Sequence, residues 1–244
     1  MLNGARVSRL GHRWLALLVG WQLVAWTASG LYMVAVDLDF IHGDTLVRNV
    51  APPVRLDVPL APLAAVRAGR GDLTQIDLRT LPDTGQPVYE LRHARGVELV
   101  DAATARPMPP FDEARIRALA AAYYAGDGPI AAVRELAHAA EIPAEIRGRR
   151  APLWRVDFDD FTATTLYLDP ATGRLVTRRH RFWRWFDLLW SLHIMDYVER
   201  EDVNNPLLRV ATPLALLLAS FGLWLAFHSF AFLQRRRARV RAPQ

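Results

Sequence analysis

The sequence contains no cysteine and no lysine. Without cysteine the chain forms no disulfide, presents no thiolate nucleophile and builds no Cys-ligated metal site, so its stability must come from an ordinary apolar core. All 30 basic residues are arginine. That bias reads as the composition of a GC-rich bacterium, and it makes any single arginine weak evidence of a site. Charge is also missing locally. Trp14–Val36 and Val210–Gln234, runs of 23 and 25 residues, contain no Asp, Glu or Arg. At about 1.5 Å per residue each gives roughly 35 Å of helix, enough to cross a hydrocarbon core of about 30 Å.

Arginine orients the two runs. Arg6, Arg9 and Arg13 precede the first, Arg235, Arg236, Arg237, Arg239 and Arg241 follow the second, and neither tail carries an acid. Removing these eight from 30 leaves 22 against 25 Asp+Glu, a formal charge of −3 between the tails. The high isoelectric point is therefore a topology signal, and nucleic acid is set aside as a partner. The expectation is a multi-pass protein of the bacterial inner membrane with both termini cytoplasmic and the central domain periplasmic. The first run is longer than a signal-peptide core of about 7–15 residues and carries Trp21, Gln22 and Trp26, so it reads as an uncleaved anchor.

The expected plan is a cytoplasmic tail (1–13), a first span (14–36), a periplasmic domain (37–181), an interfacial aromatic helix (182–198), a second span (207–233) and a basic tail (234–244). Within the domain, Asp101-Ala-Ala-Thr-Ala-Arg106 recurs 68 residues later as Asp169-Pro-Ala-Thr-Gly-Arg174 (169 − 101 = 68). Strand-like runs precede each copy, Val97 to Val100 and Thr165 to Leu168. Further upstream, Pro87 to Leu91 and Leu153 to Phe158 alternate apolar and polar residues as half-buried strands do. Two equivalent hairpin units follow. Pro62 to Arg67 also matches Pro129 to Arg134, but alanine-rich segments match easily by chance, and the hairpins carry the repeat. In the turns, Asp caps through its side chain and Gly173 can take a left-handed conformation, a structural role for Asp169 rather than a catalytic one. Asp112 to Gly126 reads as a helix, and 129–142 fits helix or strand. Asp157, Asp159 and Asp160 read as a solvated strand end. The unit is therefore helix plus antiparallel strands, an α+β sandwich of one sheet against helices.

The segment Trp154 to Phe158 through Leu166-Tyr-Leu-Asp-Pro-Ala-Thr-Gly173 looks like the ending of a PepSY domain, with the Asp101 copy a degenerate second one. His12-Arg-Trp14 through Ser29-Gly-Leu-Tyr32 is similar to the opening helix of the membrane family whose PepSY domains are flanked by transmembrane helices. Leu192 to Tyr197 and Asn204 to Leu208 also fit that family. The resemblance implies an α+β fold with two transmembrane helices flanking an extracytoplasmic domain of two PepSY-like helix-plus-antiparallel-sheet repeats, about 55–108 and 112–178. It also implies partner binding or inhibition, peptidases included. Larger four-helix relatives are haem-containing reductases in ferric-siderophore uptake; with two spans, this chain would need a second copy to complete an electron route.

Three of the eight Trp lie in the first run and three more between Phe182 and Trp190. Phe182, Phe186, Leu189, His193 and Tyr197 share a helical face, as an interfacial helix at the outer membrane surface would. Glu199 to Asp202 should be a solvated loop, and Asn204-Asn-Pro206 a helix start. Ala215, Ala219, Gly222, Ala226 and Ser229 form a small-residue stripe, and Ala25, Ser29 and Tyr32 a comparable one, suited to helix packing or homodimerisation. Four histidines sit at membrane edges. A membrane haem b needs two imidazoles at matching depth; the outer pair His42 and His193 meets this better than His12 and His228, whose depths differ by about 10 Å. His93, His138 and His180 show no zinc spacing.

No Ser-His-Asp order, phosphate loop, Rossmann glycine pattern or zinc signature is present. The leading expectation is a membrane-anchored protein, without catalysis of its own, whose periplasmic module binds a ligand or another membrane or periplasmic protein as an accessory to iron or metal uptake. The alternatives are a haem-binding reductase subunit and a periplasmic protease inhibitor.

Overall fold

A computed structural model describes residues 4–48, 53–54, 58–94 and 96–241, with backbone alone over 4–8 and 230–241. The expected start of the first repeat, 55–57, and the outermost tail residues, 1–3 and 242–244, lie outside the described residues. In chain order the elements are α1 (Gly4–Ala35), α2 (Leu38–His42), α3 (Leu63–Arg67), β1 (Leu73–Thr80), β2 (Pro87–His93), β3 (Gly96–Asp101), α4 (Glu113–Tyr123), β4 (Ile130–Leu136), β5 (Leu153–Phe158), β6 (Thr165–Leu168), β7 (Leu175–Arg179), α5 (Arg181–Ile194) and α6 (Pro206–Arg241). They form two units, Asp37–Arg184 and Met1–Val36 with Trp185–Gln244.

The first unit is α+β. Each half places a helix before an antiparallel meander: α3 before β1-β2-β3, then α4 before β4-β5-β6-β7. Each half thus has its own antiparallel sheet, of three and of four strands. Strand alternation decides which side chains meet. Val88 on β2, Val156 and Phe158 on β5, and Leu166 and Leu168 on β6 point to a shared core with Ile116, Leu119 and Ala120 of α4. On the other faces, Tyr89 and Leu91 pack with Val66 of α3, and Leu153 and Tyr167 pack with Leu136 and Ile146. Asp112 begins α4 by accepting the Arg115 N–H at 2.9 Å, and the helix ends at Tyr123 rather than Gly126. The ambiguous 129–142 is strand β4 followed by a 3-10 turn at Ala139–Glu141. Pro62 to Arg67 is helical where Pro129 to Arg134 is extended, so that match is compositional.

The two Asp turns have equivalent bonding. The Asp101 carboxylate accepts from the N–H groups of Ala103 and Thr104 and the Thr104 hydroxyl at 3.0, 2.8 and 2.8 Å. Asp169 accepts from Ala171, Thr172 and the Thr172 hydroxyl at 2.8, 2.8 and 3.1 Å. The acidic strand end is knotted rather than loose: Asp160 accepts from Tyr124, Thr162 and Thr164.

In the second unit, two helices are long and apolar enough to cross a membrane, Arg9–Ala35 and Pro206–Ser229. Leu17, Leu18, Val24, Leu216, Leu223 and Phe227 on them are exposed, an apolar surface that water disfavours and lipid accepts. The helices touch where Gly11 leaves room for the Phe221 ring and Gly222 for the His12 imidazole. The buried face of α6 is Ala211, Ala215 and Leu218. Of the expected stripe, Ala215 is buried, whereas Ala219, Ala226 and Ser229 are exposed: the helix is rotated toward Leu218, whose carbonyl lies 3.2 Å from His12 Nδ1. Asn205 caps α6 by accepting the Leu208 N–H, and its amide donates to the Ile194 carbonyl at 2.8 Å.

Helix α5 stops at Ile194, where Met195 adopts φ +56°, so Tyr197 lies beyond it and not on its face. Its last carbonyls lack intrahelical donors, which is costly away from water. α1 supplies them from one face: Gln22 donates to Leu192 O at 2.8 Å and Trp26 to His193 O at 2.7 Å. The tip of α5 thus sits against the middle of the first charge-free run. Asp196 then organises 198–202 by accepting four backbone N–H groups, and Arg200 pairs with Asp187.

Candidate functional site

A cleft of about 610 Å³ between the two halves of the α+β unit is lined by four arginines and one carboxylate. Arg79 and Thr80 come from the end of β1, Pro82 from the turn after it, and Tyr123 from the last residue of α4. Arg174 ends the Asp169 turn, Leu175 and Arg178 lie on β7, and Asp44, Val47 and Arg48 come from the segment after α2. That segment is tied down by the Arg48 N–H donating to Tyr123 O at 2.7 Å and Ala125 N–H donating to Leu46 O at 2.9 Å.

Behind the wall is Glu90, on the same face of β2 as Val88 and 1% exposed. One of its oxygens accepts from Arg79 at 2.9 Å and from Arg174 at 2.6 Å; the other accepts from Arg92. Arg79 also donates to the Thr172 carbonyl in the second Asp turn. A buried carboxylate shared among guanidinium groups fixes their orientation through charge-assisted hydrogen bonds. Arg178 is held by Asp44 and by the His42 carbonyl, the latter at 2.9 Å. Arg48 has no carboxylate partner among the described residues. Four arginines line the cleft against one carboxylate, Asp44, and Glu90 behind it is shared by two of them with Arg92, so the cleft is net positive. Burial pushes the Tyr123 phenol up, outweighing the opposing pull of Arg79, the Leu175 backbone and Arg174; a phenol is a hydrogen-bond donor at neutral pH.

A second cleft, of about 460 Å³, differs in being matched within itself. Arg184 pairs with Glu145 at 2.7 Å and Arg155 with Asp157 at 2.9 Å, and Tyr167 donates to Glu145 at 2.7 Å. Burial raises the Glu145 carboxyl, but the bonds from Arg184 and Tyr167 bring it net below the usual carboxylate range. Its charges are spent on the fold.

The four histidines singled out from the sequence fall in different settings. His42 is the exposed last residue of α2, in the α+β unit. His193 belongs to the helical unit, where its Nδ1 lies 2.8 Å from Ser29 Oγ and its ring lies nearly parallel to Trp190, centroids 6.3 Å apart. With Nδ1 engaged, Nε2 is the nitrogen left for a ligand. His12 packs at Leu218 and Gly222, whereas His228 stacks on Trp224 with its own Nδ1 at the Trp224 carbonyl. Six residues separate Gly222 from His228, about 9 Å of helix, so this inner pair does not converge. No cluster of three His, Asp or Glu that could hold a metal ion is present among the described residues. His180, scattered in sequence terms, is fully buried beside Phe40, with Nε2 at the Ile41 carbonyl.

Sequence reasoning missed the cleft. With every cation an arginine, no single one stood out; the legible clue was Arg174, the last residue of the repeated turn, placed 84 positions from the glutamate it meets. Fold and site together define an α+β domain of two antiparallel sheets with a basic cleft, on a chain carrying two helices long and apolar enough to cross a membrane. No family model matches this chain, and neither the curated proteins nor the solved structures contain a match.

Proposed function

We propose that this is an inner-membrane-anchored binding protein of the PepSY type, whose periplasmic pair of repeats presents the inter-repeat cleft to a ligand or partner as an accessory to iron or metal uptake. The observation that carries this reading is the cleft, where arginines outnumber carboxylates and three are held in place, with no nucleophile beside a base among the described residues. The repeated Asp turn supports the resemblance, and the outward-facing apolar side chains of α1 and α6 support the anchor. Both termini lie in the cytoplasm on this reading, since the tail arginines favour that side. Reporter fusions after Arg70 and after Gln244 should report opposite compartments. Matching signals would remove the periplasmic placement.

One observation favours a second reading, a haem-bearing reductase subunit. The Ser29 contact fixes the ring of His193 as an outer partner fixes a ligating imidazole, and this histidine would hold iron through Nε2. Haem would supply one-electron transfer; the chain would supply the ligand and its orientation. The absorption spectrum of the full-length protein in detergent separates the two. The binding-protein reading expects no Soret band, whereas a Soret band lost in His193→Ala would establish the reductase reading instead.

A further inference from the structure

We infer that the arginine cleft binds a small dianion carrying carboxylate or phosphate groups; this rests on reading the outer domain as a binding module and gives that module its ligand class. The charge sets the sign. Four arginines line the cleft against one carboxylate, Asp44, and Glu90 behind the wall is shared by two of them with a fifth, Arg92. The site is therefore net positive and favours an anion, with Arg48 and Arg174 each able to take one charge. The hydrogen-bond inventory agrees. Arg174 uses Nε on Glu90, leaving both terminal nitrogens without an acceptor among the described residues, and the Arg48 guanidinium is likewise unengaged. A guanidinium fork presents paired donors whose spacing matches the two oxygens of a carboxylate or phosphate.

The arginines are also built into place. Arg79 is clamped by Glu90 and by the Thr172 carbonyl, so little side-chain entropy is lost when it meets an anion. Val47, Pro82 and Leu175 give one wall an apolar surface for a short carbon frame, and the Tyr123 hydroxyl adds a neutral donor. A space of about 610 Å³ falls in the range of small-molecule sites, about 300–1,000 Å³, so the occupant is a metabolite-sized anion and not a folded partner.

The test is titration calorimetry on the full-length protein in neutral detergent at low ionic strength, with sodium phosphate and sodium succinate as separate probes. Saturable binding at one site per chain is expected, weakening with added salt. Arg48→Ala should weaken it about tenfold, the loss of one charge-assisted bond, and Tyr123→Phe about fivefold, the loss of a neutral one. Arg134→Ala, an exposed arginine on β4 outside the cleft, should change nothing. Binding of phosphate alone assigns the phosphoryl class and of succinate alone the carboxylate class; competition between them assigns a shared oxyanion site. If neither probe binds, if binding is indifferent to both cleft variants, or if Arg134→Ala weakens it equally, the inference fails. Such a failure leaves the reporter-fusion and spectral results untouched, whereas a Soret band or matching reporters would remove the function proposed above and leave a positive titration standing.

Discussion

Ala105 and Gly173 occupy the same left-handed position in the two Asp turns, at φ +57° and +66°. Each donates its N–H to the carbonyl of its own aspartate, at 3.0 and 2.8 Å. The residue types differ because the surroundings differ. A β-carbon at 173 would lie 2.7 Å from Phe111 and 2.8 Å from Leu119, whereas at 105 a methyl group is accommodated at the edge of the first sheet's core. The second turn is wedged into the core shared by the two halves, and only glycine fits there.

Gly173→Ala should therefore be costly and Ala105→Gly nearly neutral. A left-handed non-glycine costs about 1–2 kcal/mol and overpacking a filled site about 1–3 kcal/mol, so the expected loss at 173 is about 2–4 kcal/mol. Ala105→Gly relieves strain but loosens the unfolded chain, for a net change within about 1 kcal/mol. Thermal unfolding of the full-length protein checks both. Equal shifts for the two variants would show that the turns are not packed differently.

Stability should fall with acid in two stages. Burial pushes His180 down, more than the Ile41 and Phe40 carbonyls raise it. A base with a depressed folded pKa is stabilising above its unfolded value, about 6.5, and that contribution is lost as pH falls through the folded value. Burial raises the Asp160 carboxyl, but bonds from Thr164, Tyr124 and Thr162 bring it net below its ordinary range. Its contribution is present above about 3.9 and lost as pH falls further. Melting temperature measured against pH should show both declines, and His180→Gln, which keeps a donor for Ile41, should lack the first. A first decline that survives in His180→Gln belongs to another group.

Much of the α+β unit was legible because its signals are local. Strands β2 and β5 were readable as alternating runs, β3 and β6 as strand-like runs, and Asp101 and Asp169 as turn caps, since each depends on residues within a few positions. Strand β7 and the cleft were not. Arg174 reaches Glu90 on another strand, a distance in sequence that no period encodes. The α6 stripe misled for a related reason: small residues recur along two neighbouring faces of α6, and only the partner chosen by His12 and Phe221 selects the one through Leu218. Among the histidines, membrane-edge position was readable, but what each ring nitrogen meets was not.

Glu90→Gln tests whether the cleft's arginines are held or merely adjacent. Removing the buried charge leaves Arg79, Arg92 and Arg174 to repel one another beside a neutral amide. Breaking a buried ionic cluster costs about 3–5 kcal/mol, less where partners are exposed, and Arg174 is 47% exposed. A loss of about 2–3 kcal/mol is expected in thermal unfolding. Unchanged stability would mean that Glu90 does not orient the site.

The helical unit offers the sharpest test of how α5 is anchored. Gln22 is 2% exposed on a helix whose neighbouring side chains are mostly apolar, and its amide donates to Leu192 O, one of the carbonyls that α5 cannot satisfy itself. Trp26 and Ser29, four and seven residues on, continue the same face to the His193 carbonyl and imidazole. Gln22→Leu keeps the bulk and removes the donor. Hydrogen bonds between helices in membranes average about 0.6 kcal/mol and reach about 1.7, so the expected loss is about 1 kcal/mol. Gln22→Glu should cost more, because an ionised carboxylate cannot donate to a carbonyl and would be buried without a partner. Equilibrium unfolding in mixed micelles, with fluorescence of the Trp-rich α5 as the probe, should rank wild type above Gln22→Leu and both above Gln22→Glu. If Gln22→Leu is as stable as wild type, the α5 tip is held by packing alone and the polar face of α1 is not its anchor.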